Sequence, residues 1–177
     1  MKNLEVRIFN AGKNDLPSYS KPNDAGFDIR TDLSKIKRAE DFMGNKRYIF
    51  YPAVESSKEK ACVILRPNGR ILIPSNIHVN IPEGYEIEVR PRSGLAIKYG
   101  ITIVNSPGTV DCGYLGGIGI ILLNTDTENN FEIYDGDRIA QGILKEMIHC
   151  DWKEVSTIEE LGETERGHSG FGDSGIK

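Results

Sequence analysis

Positive charge is short in this chain. Twenty-two Lys and Arg stand against 26 Asp and Glu, giving a net charge of −4 and a pI near 5.5. A protein that grips a nucleic-acid polymer needs a basic face, so this balance argues against DNA or RNA as partner. It does not exclude a single nucleotide, because a few local Arg and Lys residues can hold one triphosphate. Cysteine is equally sparse. Cys62, Cys112 and Cys150 are odd in number, far apart and form no C-x-x-C pair. That excludes a disulfide framework and a cysteine zinc site, and it suits a reducing, cytoplasmic setting. Long apolar runs are missing too. Met1-Lys2-Asn3-Leu4-Glu5 carries a charge every few residues, so neither a signal peptide nor a membrane span is expected. No internal repeat or low-complexity block is present.

Turn residues, by contrast, are plentiful. Nineteen Gly and eight Pro punctuate 177 residues, which predicts short strands rather than long helices. With 38% apolar and 27% charged residues, the chain reads as one soluble domain with a real core. Leu4, Val6 and Ile8 alternate with charged neighbours, the pattern of a half-buried strand. Further strands are expected at 47–52 and 61–65, joined by a polar loop, and at 71–74, 77–81, 101–104, 118–123 and 131–134. Residues 138–148 carry Ile139, Ile143, Leu144 and Ile148, and Gly142 disfavours a helix there. Residues 34–43 predict a short helix capped by Ser34 and stopped by Gly44, and 157–161 predict one helical turn. Many short strands separated by turn signals point to an all-β barrel or sandwich.

The polar residues of chemical interest sit at strand ends. Arg92-Ser93-Gly94 forms a polar turn after the alternating run 85–90. Residues 105–117 form a Gly/Pro/Asp-rich hairpin leading into the apolar run 118–123. Asp24-Ala25-Gly26-Phe27-Asp28 sets two carboxylates around a tight turn, which by itself is the commonest use of Asp and Gly. The last twelve residues space Arg166, His168, Phe171 and two serines with four glycines, without an apolar pattern to hold them in a core. Such a tail is either a plain disordered terminus or a lid whose glycine amides and arginine wrap phosphate oxygens.

In order along the chain, Asp24-Ala25-Gly26-Phe27-Asp28, Pro91-Arg92-Ser93-Gly94-Leu95-Ala96, Gly108-Thr109-Val110-Asp111-Cys112-Gly113-Tyr114, Gly136-Asp137-Arg138-Ile139-Ala140-Gln141 and Arg166-Gly167-His168-Ser169-Gly170-Phe171-Gly172 resemble the five motifs of the trimeric dUTPase family. The resemblance implies a distorted, jelly-roll-like β-barrel over 1–165 and a mobile Gly-rich arm over 166–177. It implies hydrolysis of dUTP to dUMP and pyrophosphate by water attack on the α-phosphorus. It also implies a homotrimer with sites at subunit interfaces and Mg2+ as cofactor. Asp111 matches the family's catalytic base. Tyr114 matches the ring that packs on deoxyribose and leaves no room for a 2′-hydroxyl. Asn105 matches the reader of the uracil edge. Arg92, Ser93 and Gly94 match the phosphate-binding turn, with Gln141 as a further phosphate-side hydrogen-bonding group. Arg166 and Ser174 match γ-phosphate ligands of the arm, Phe171 the ring stacked on uracil, and Asp28 an acidic residue close to the metal.

Three departures stand out. Leu115-Gly116-Gly117 replaces a charged pair common after the hairpin Tyr. Asp173 puts an acid in the arm. The segment 34–68 is longer than in compact members and is a candidate surface for an extra partner. The related fold of dCTP deaminases needs a carboxylate after the hairpin, and the run 118–123 has none. A non-enzymatic interaction module on the same barrel is the rival from another class; the intact Asp111, Tyr114, Arg92 and Ser93 set argues against it.

Overall fold

The computed structural model describes residues 3–51 and 60–168. The chain divides into two compact units, Met1–Met147 and Ile148–Lys177. In the first, the strands run β1 (Arg7–Asn10), β2 (Ser18–Tyr19), β3 (Phe27–Arg30), β4 (Tyr48–Tyr51), β5 (Cys62–Leu65), β6 (Arg70–Asn80), β7 (Tyr85–Arg90), β8 (Ile101–Ile103), β9 (Gly108–Val110), β10 (Gly117–Asn124), β11 (Phe131–Tyr134) and β12 (Arg138–Glu146). A short helix, α1 (Ser93–Tyr99), separates β7 from β8. Antiparallel pairing builds three sheets, ordered β1-β6-β10-β8, β11-β5-β4 and β2-β3-β12-β7-β9. The all-β expectation holds. Among the described residues no helix is long and apolar enough to cross a membrane. The second unit contains a 3-10 turn at Ile158–Leu161, where one helical turn was expected.

The core follows from period-2 alternation. β6 buries Ile71, Ile73, Ser75, Ile77 and Val79, and the alternate residues Leu72, Pro74, Asn76 and His78 are only half-buried. β10 runs against it and buries Ile118, Ile120 and Leu122. The five-stranded sheet adds Ile29, Ile87, Val89 and Ile139, and the three-stranded sheet Val63, Leu65 and Ile133. Most of these are β-branched, the shape that packs best on a pleated surface.

The sequence reads β6 as two strands broken at Ser75-Asn76; the chain forms one strand with a bulge there. Gly117 pairs with His78 but Gly119 pairs with Pro74, so β6 holds extra residues opposite Ile118. Asn76 takes up the irregularity at φ 53°, a conformation Asn tolerates better than most residues. Ser75 Oγ donates to the Ile118 carbonyl at 2.7 Å and pins the bulge to β10.

The expected helix at 34–43 does not form; a 3-10 turn at Ala39–Asp41 stands in its place. Its intended cap is committed elsewhere, since Ser34 donates both its amide and its hydroxyl to Asp32. Asp41 Oδ2 accepts the amides of Lys37 and Arg38, closing a tight turn. Phe42 is then buried edge-on against Tyr48 and Phe50, and Gly44 bridges to Ile71 of β6. Edge pairing and aromatic burial outweigh a helix too short to be stable alone.

Asp32 joins these pieces. It is fully buried, and its carboxylate accepts the Lys13 amide at 2.8 Å, the Ser34 amide at 3.0 Å and hydroxyl at 2.5 Å, and the Asn76 side chain at 3.0 Å. Burial by itself would raise its pKa. The hydrogen bonds from Ser34, Lys13 and Asn76 outweigh it and hold the carboxyl below its ordinary 3.8. A depressed folded-state pKa adds stability above the unfolded value, and that contribution drains away as pH falls below 3.8 toward the folded value. Asp32→Asn puts an amide donor against amide donors, so it should cost about 2–3 kcal/mol in urea unfolding at pH 7. The gap to wild type should narrow as the pH is taken progressively below 3.8; a gap that stays constant would show that the charge of Asp32 contributes nothing.

Candidate active site

The register of the five-stranded sheet sets one rung of polar side chains. Asp28 of β3 lies opposite Gln141 of β12, and Gln141 lies opposite Arg90 of β7. Side chains paired in this way share one face of a sheet. They floor a cleft of about 640 Å³ that is walled by Asp24 to Gly26 on one side and Arg92 to Leu95 on the other. Residues from three sequence motifs therefore converge because three neighbouring strands present them in register.

Each wall has a local cause. Arg92, expected in a turn, is the extended N-cap residue of α1, which stops at Gly100 with φ 63°. At seven residues the helix is too short for apolar periodicity to reveal it. The first-turn amides of Ser93 and Gly94 have no acceptor inside a helix. A Cβ at Gly94 would meet no atom within 4 Å, so the space before that backbone is open. Gln141 Nε2 donates to the Pro91 carbonyl at 2.8 Å, and its Oε1 lies so close to Gly26 that a Cβ there would come within 2.8 Å. A side chain at Gly26 would therefore push the Gln141 amide out of its present position.

Electrostatically the cleft is an acid held between bases. Asp28 Oδ1 pairs with Arg92 Nε at 3.0 Å and Oδ2 with Arg138 Nη1 at 3.1 Å. Arg92 Nη1 also donates to the Arg138 carbonyl at 3.1 Å. Arg90 is held by Glu88, which pairs with Lys145 at 2.7 Å as well. The hydrogen bonds from Lys145 and then Arg90 hold the Glu88 carboxyl below its ordinary range. Arg138, Arg90 and Lys98 were not among the predicted site residues. Arg138 was legible only as the third residue of Gly136-Asp137-Arg138. What aims it at Asp28 is a register shift on β12 between Arg138 and Ala140, the kind of bulge that re-aims a side chain.

Among the described residues no three His, Cys, Asp or Glu side chains group as a metal cage. Both oxygens of Asp28 are taken by arginines. This donor set fits a hydrated cation carried by a ligand's own oxygens, with Asp28 in reach through water, and does not form a resident site.

The hairpin residues stand elsewhere. Asp111 follows β9 directly and starts a turn in which the Tyr114 amide donates to the Asp111 carbonyl at 3.2 Å. Gly113 occupies the third position of that turn at φ 85°, as a type II turn demands. The Asp111 carboxylate is exposed and meets no hydrogen-bonding partner among the described residues. The Tyr114 hydroxyl donates to the Gly117 carbonyl at 3.3 Å, and the exposed Asn105 packs on Gly108. None of these three lines the cleft. In the β7–β9 ladder Val89 faces Gly108 and Ile87 faces Val110. Asp111 therefore leaves one end and Arg92 the other, about 20 Å apart at the usual rise per strand residue. Arg166 lies in a described turn of the second unit, closed by Gly167 on Thr164. Phe171 and Ser174 lie outside the described residues.

The family model described as dUTPase matches residues 57–175. A Fusobacterium nucleatum protein named deoxyuridine 5'-triphosphate nucleotidohydrolase is 38% identical over 175 residues, covering 99% of each chain. One of the same name from Ehrlichia canis is 38% identical over 173 residues, 98% of this chain and 95% of its own. Among solved structures, a dUTPase mutant of Staphylococcus bacteriophage 80alpha with dUpNHpp has a TM-score of 0.71 at 22% identity, covering 98% of this chain and 100% of its own. A mutant dUTPase of phage phi11 of S. aureus, described with a structural Mg(II) ion, has a TM-score of 0.64 at 20% identity, covering 88% and 99%. At such identities the two structures speak for a shared fold.

The Asp28 clamp yields a direct check. Its side chain keeps 14% of its exposure, so solvent screens the pairs only in part. Asp28→Ala should lower stability by about 1–2 kcal/mol by leaving two guanidinium groups facing each other. Pyrophosphate, which can replace the missing carboxylate, should raise the melting temperature of the variant more than that of wild type. Equal shifts would mean that the cleft does not collect anions through Arg92 and Arg138.

Proposed function

The chain belongs to the dUTPase family and hydrolyses dUTP to dUMP and pyrophosphate; we propose that it does so as a homotrimer whose sites are each assembled from neighbouring chains. The observation that supports this is the separation of Asp111 from the cleft along the β7–β9 ladder. A cleft that binds phosphate and a base that activates water must meet at one phosphorus atom, and within one chain the strands hold them apart. A second copy closes the gap when its hairpin reaches the first copy's cleft.

In that arrangement the cleft takes the triphosphate. Arg92 supplies a charged fork, Ser93 a hydroxyl and amide, Gly94 an unobstructed amide, and Gln141 a further hydrogen bond. The neighbour's hairpin takes the nucleoside. Asn105 reads the uracil edge, and the Tyr114 ring lies against C2′, where a hydroxyl would collide. Asp111 orients a water and accepts its proton as the water attacks the α-phosphorus in line with the leaving pyrophosphate. Asp28 would be the residue nearest a bound Mg2+, and the ion would supply positive charge that offsets the triphosphate's. Residues 166–177 act as the lid, Arg166 and Ser174 on the γ-phosphate and Phe171 over the uracil. The chemistry suits a cytoplasmic enzyme, and the exposed residues of the segment 34–68, whose Phe42, Val63 and Leu65 belong to the core, offer a surface for an additional partner.

Two experiments test this. Asp111→Asn and Arg92→Ala should each lower kcat/KM by about a hundredfold or more. Co-refolded in equal amounts, the two inactive variants should recover about a quarter of wild-type activity, the share of sites drawing both intact groups from different chains. No recovery, with mixed trimers verified by mass, would refute the shared site. Removing 166–177 should depress turnover while sedimentation still reports a trimer; an unchanged rate would deny the arm a role.

A further inference from the structure

The hairpin carrying Asp111 and Tyr114 rejoins the sheet through Leu115-Gly116-Gly117, a stretch with two glycines and much conformational freedom of its own. Something must hold it, and β6 supplies the contact. His78 Nδ1 lies 2.9 Å from the Leu115 carbonyl. A carbonyl only accepts, so Nδ1 carries the proton. His78 is also the residue opposite Gly117 across the ladder, and a Cβ at Gly117 would sit 3.6 Å from the imidazole edge. The ring of Phe9 backs the imidazole at a centroid distance of 5.8 Å. Two hydrogen bonds thus bracket Gly116, from His78 to the Leu115 carbonyl and from Tyr114 to the Gly117 carbonyl. A Cβ at Gly116 would run into the Tyr114 ring, so a side chain there would push the ring out of this position. The β6 bulge at Ser75-Asn76 ends two residues before His78, so the same distortion that breaks the β6–β10 register sets the height of the imidazole.

We propose that His78 is a positioning residue for the Asp111–Tyr114 hairpin, fixing the Tyr114 ring against the sugar by holding the carbonyl that follows it. This rests on the functional reading above. His78 touches no reacting atom; it acts on the backbone that carries Tyr114. Its loss should loosen nucleoside binding and sugar discrimination more than the chemical step.

The test compares His78→Leu, similar in bulk but without a donor, with His78→Asn, whose side-chain amide can take the place of Nδ1–H. His78→Leu should raise KM for dUTP and reduce the preference for dUTP over UTP, each by about fivefold, the strength of one neutral hydrogen bond. Its kcat should change less than twofold. His78→Asn should restore most of both losses. Overturning results are an unchanged KM and dUTP/UTP ratio in His78→Leu, or an Asn variant no better than Leu. A merely structural role would lower melting temperature and kcat together without the split. Nitrogen-15 NMR of the substrate-free full chain supplies a readout independent of activity. A neutral His78 ring should be the Nδ1–H tautomer, and an Nε2–H tautomer with bare Nδ1 would overturn the contact. A wild-type chain inactive on dUTP would instead overturn the functional reading, with the NMR still deciding the contact.

Discussion

The rigidity of the β7–β9 ladder governs the rest of the molecule. Three rungs, Val89 to Gly108, Glu88 to Thr109 and Ile87 to Val110, hold the two strands antiparallel. Antiparallel pairing sends their continuations in opposite directions. Beyond Arg90 the chain enters the polar cleft; beyond Val110 it enters the turn that bears Asp111. Ile87, Val89 and Val110 are all buried, so the rungs cannot slip without turning core side chains to solvent. The distance between cation cleft and acid hairpin is therefore a property of the core. The shared site proposed above answers this separation: Asp111 and the cleft, apart within one chain, would meet between two copies.

The cleft itself is kept in order by opposed charges. Two guanidinium groups beside one another would repel, and Asp28 lies between Arg92 and Arg138 with one oxygen on each. Glu88 plays the same part for Arg90 and Lys145. On the proposed reading, a triphosphate entering this space meets arginines already oriented, which reduces the ordering cost of binding. The bulges serve the same end from the backbone side. The one on β12 aims Arg138 at Asp28, and the one on β6 sets His78 beneath the hairpin. Asp32, buried and fully bonded, holds the second bulge through Asn76 and ties it to the N-terminal loop through Lys13.

Much of this was legible in residue order. Alternation marked β7, short apolar runs marked β10 and both halves of β6, apolar content and Gly142 marked β12, and turn residues marked the junctions between them. The five motifs pointed to Arg92, Asp111, Tyr114, Asn105 and Gln141 before any fold was known. Local pattern failed where a tertiary partner decided the outcome. Ser34 looks like a helix cap until Asp32 claims it. Ser75-Asn76 looks like a strand break until Ser75 bonds across to Ile118. Arg92-Ser93-Gly94 looks like a turn because a helix of seven residues shows too little periodicity. His78 carries no local mark, and Arg138 only its place in Gly136-Asp137-Arg138: each matters through a partner more than 30 positions away, Leu115 for one and Asp28 for the other.

Turn composition and strand patterning by themselves determined the all-β class, because it depends on short-range periodicity; the reaction and the residues proposed to carry it came from the resemblance of five ordered motifs to a known family. Only the tertiary structure decided that Asp28, Gln141 and Arg90 share a rung, that Asp28 binds two arginines, and that Asp111 lies away from the cleft. Strand register sets those relations, and register is fixed by burial and bulges summed over a whole sheet, which no single stretch of the chain contains.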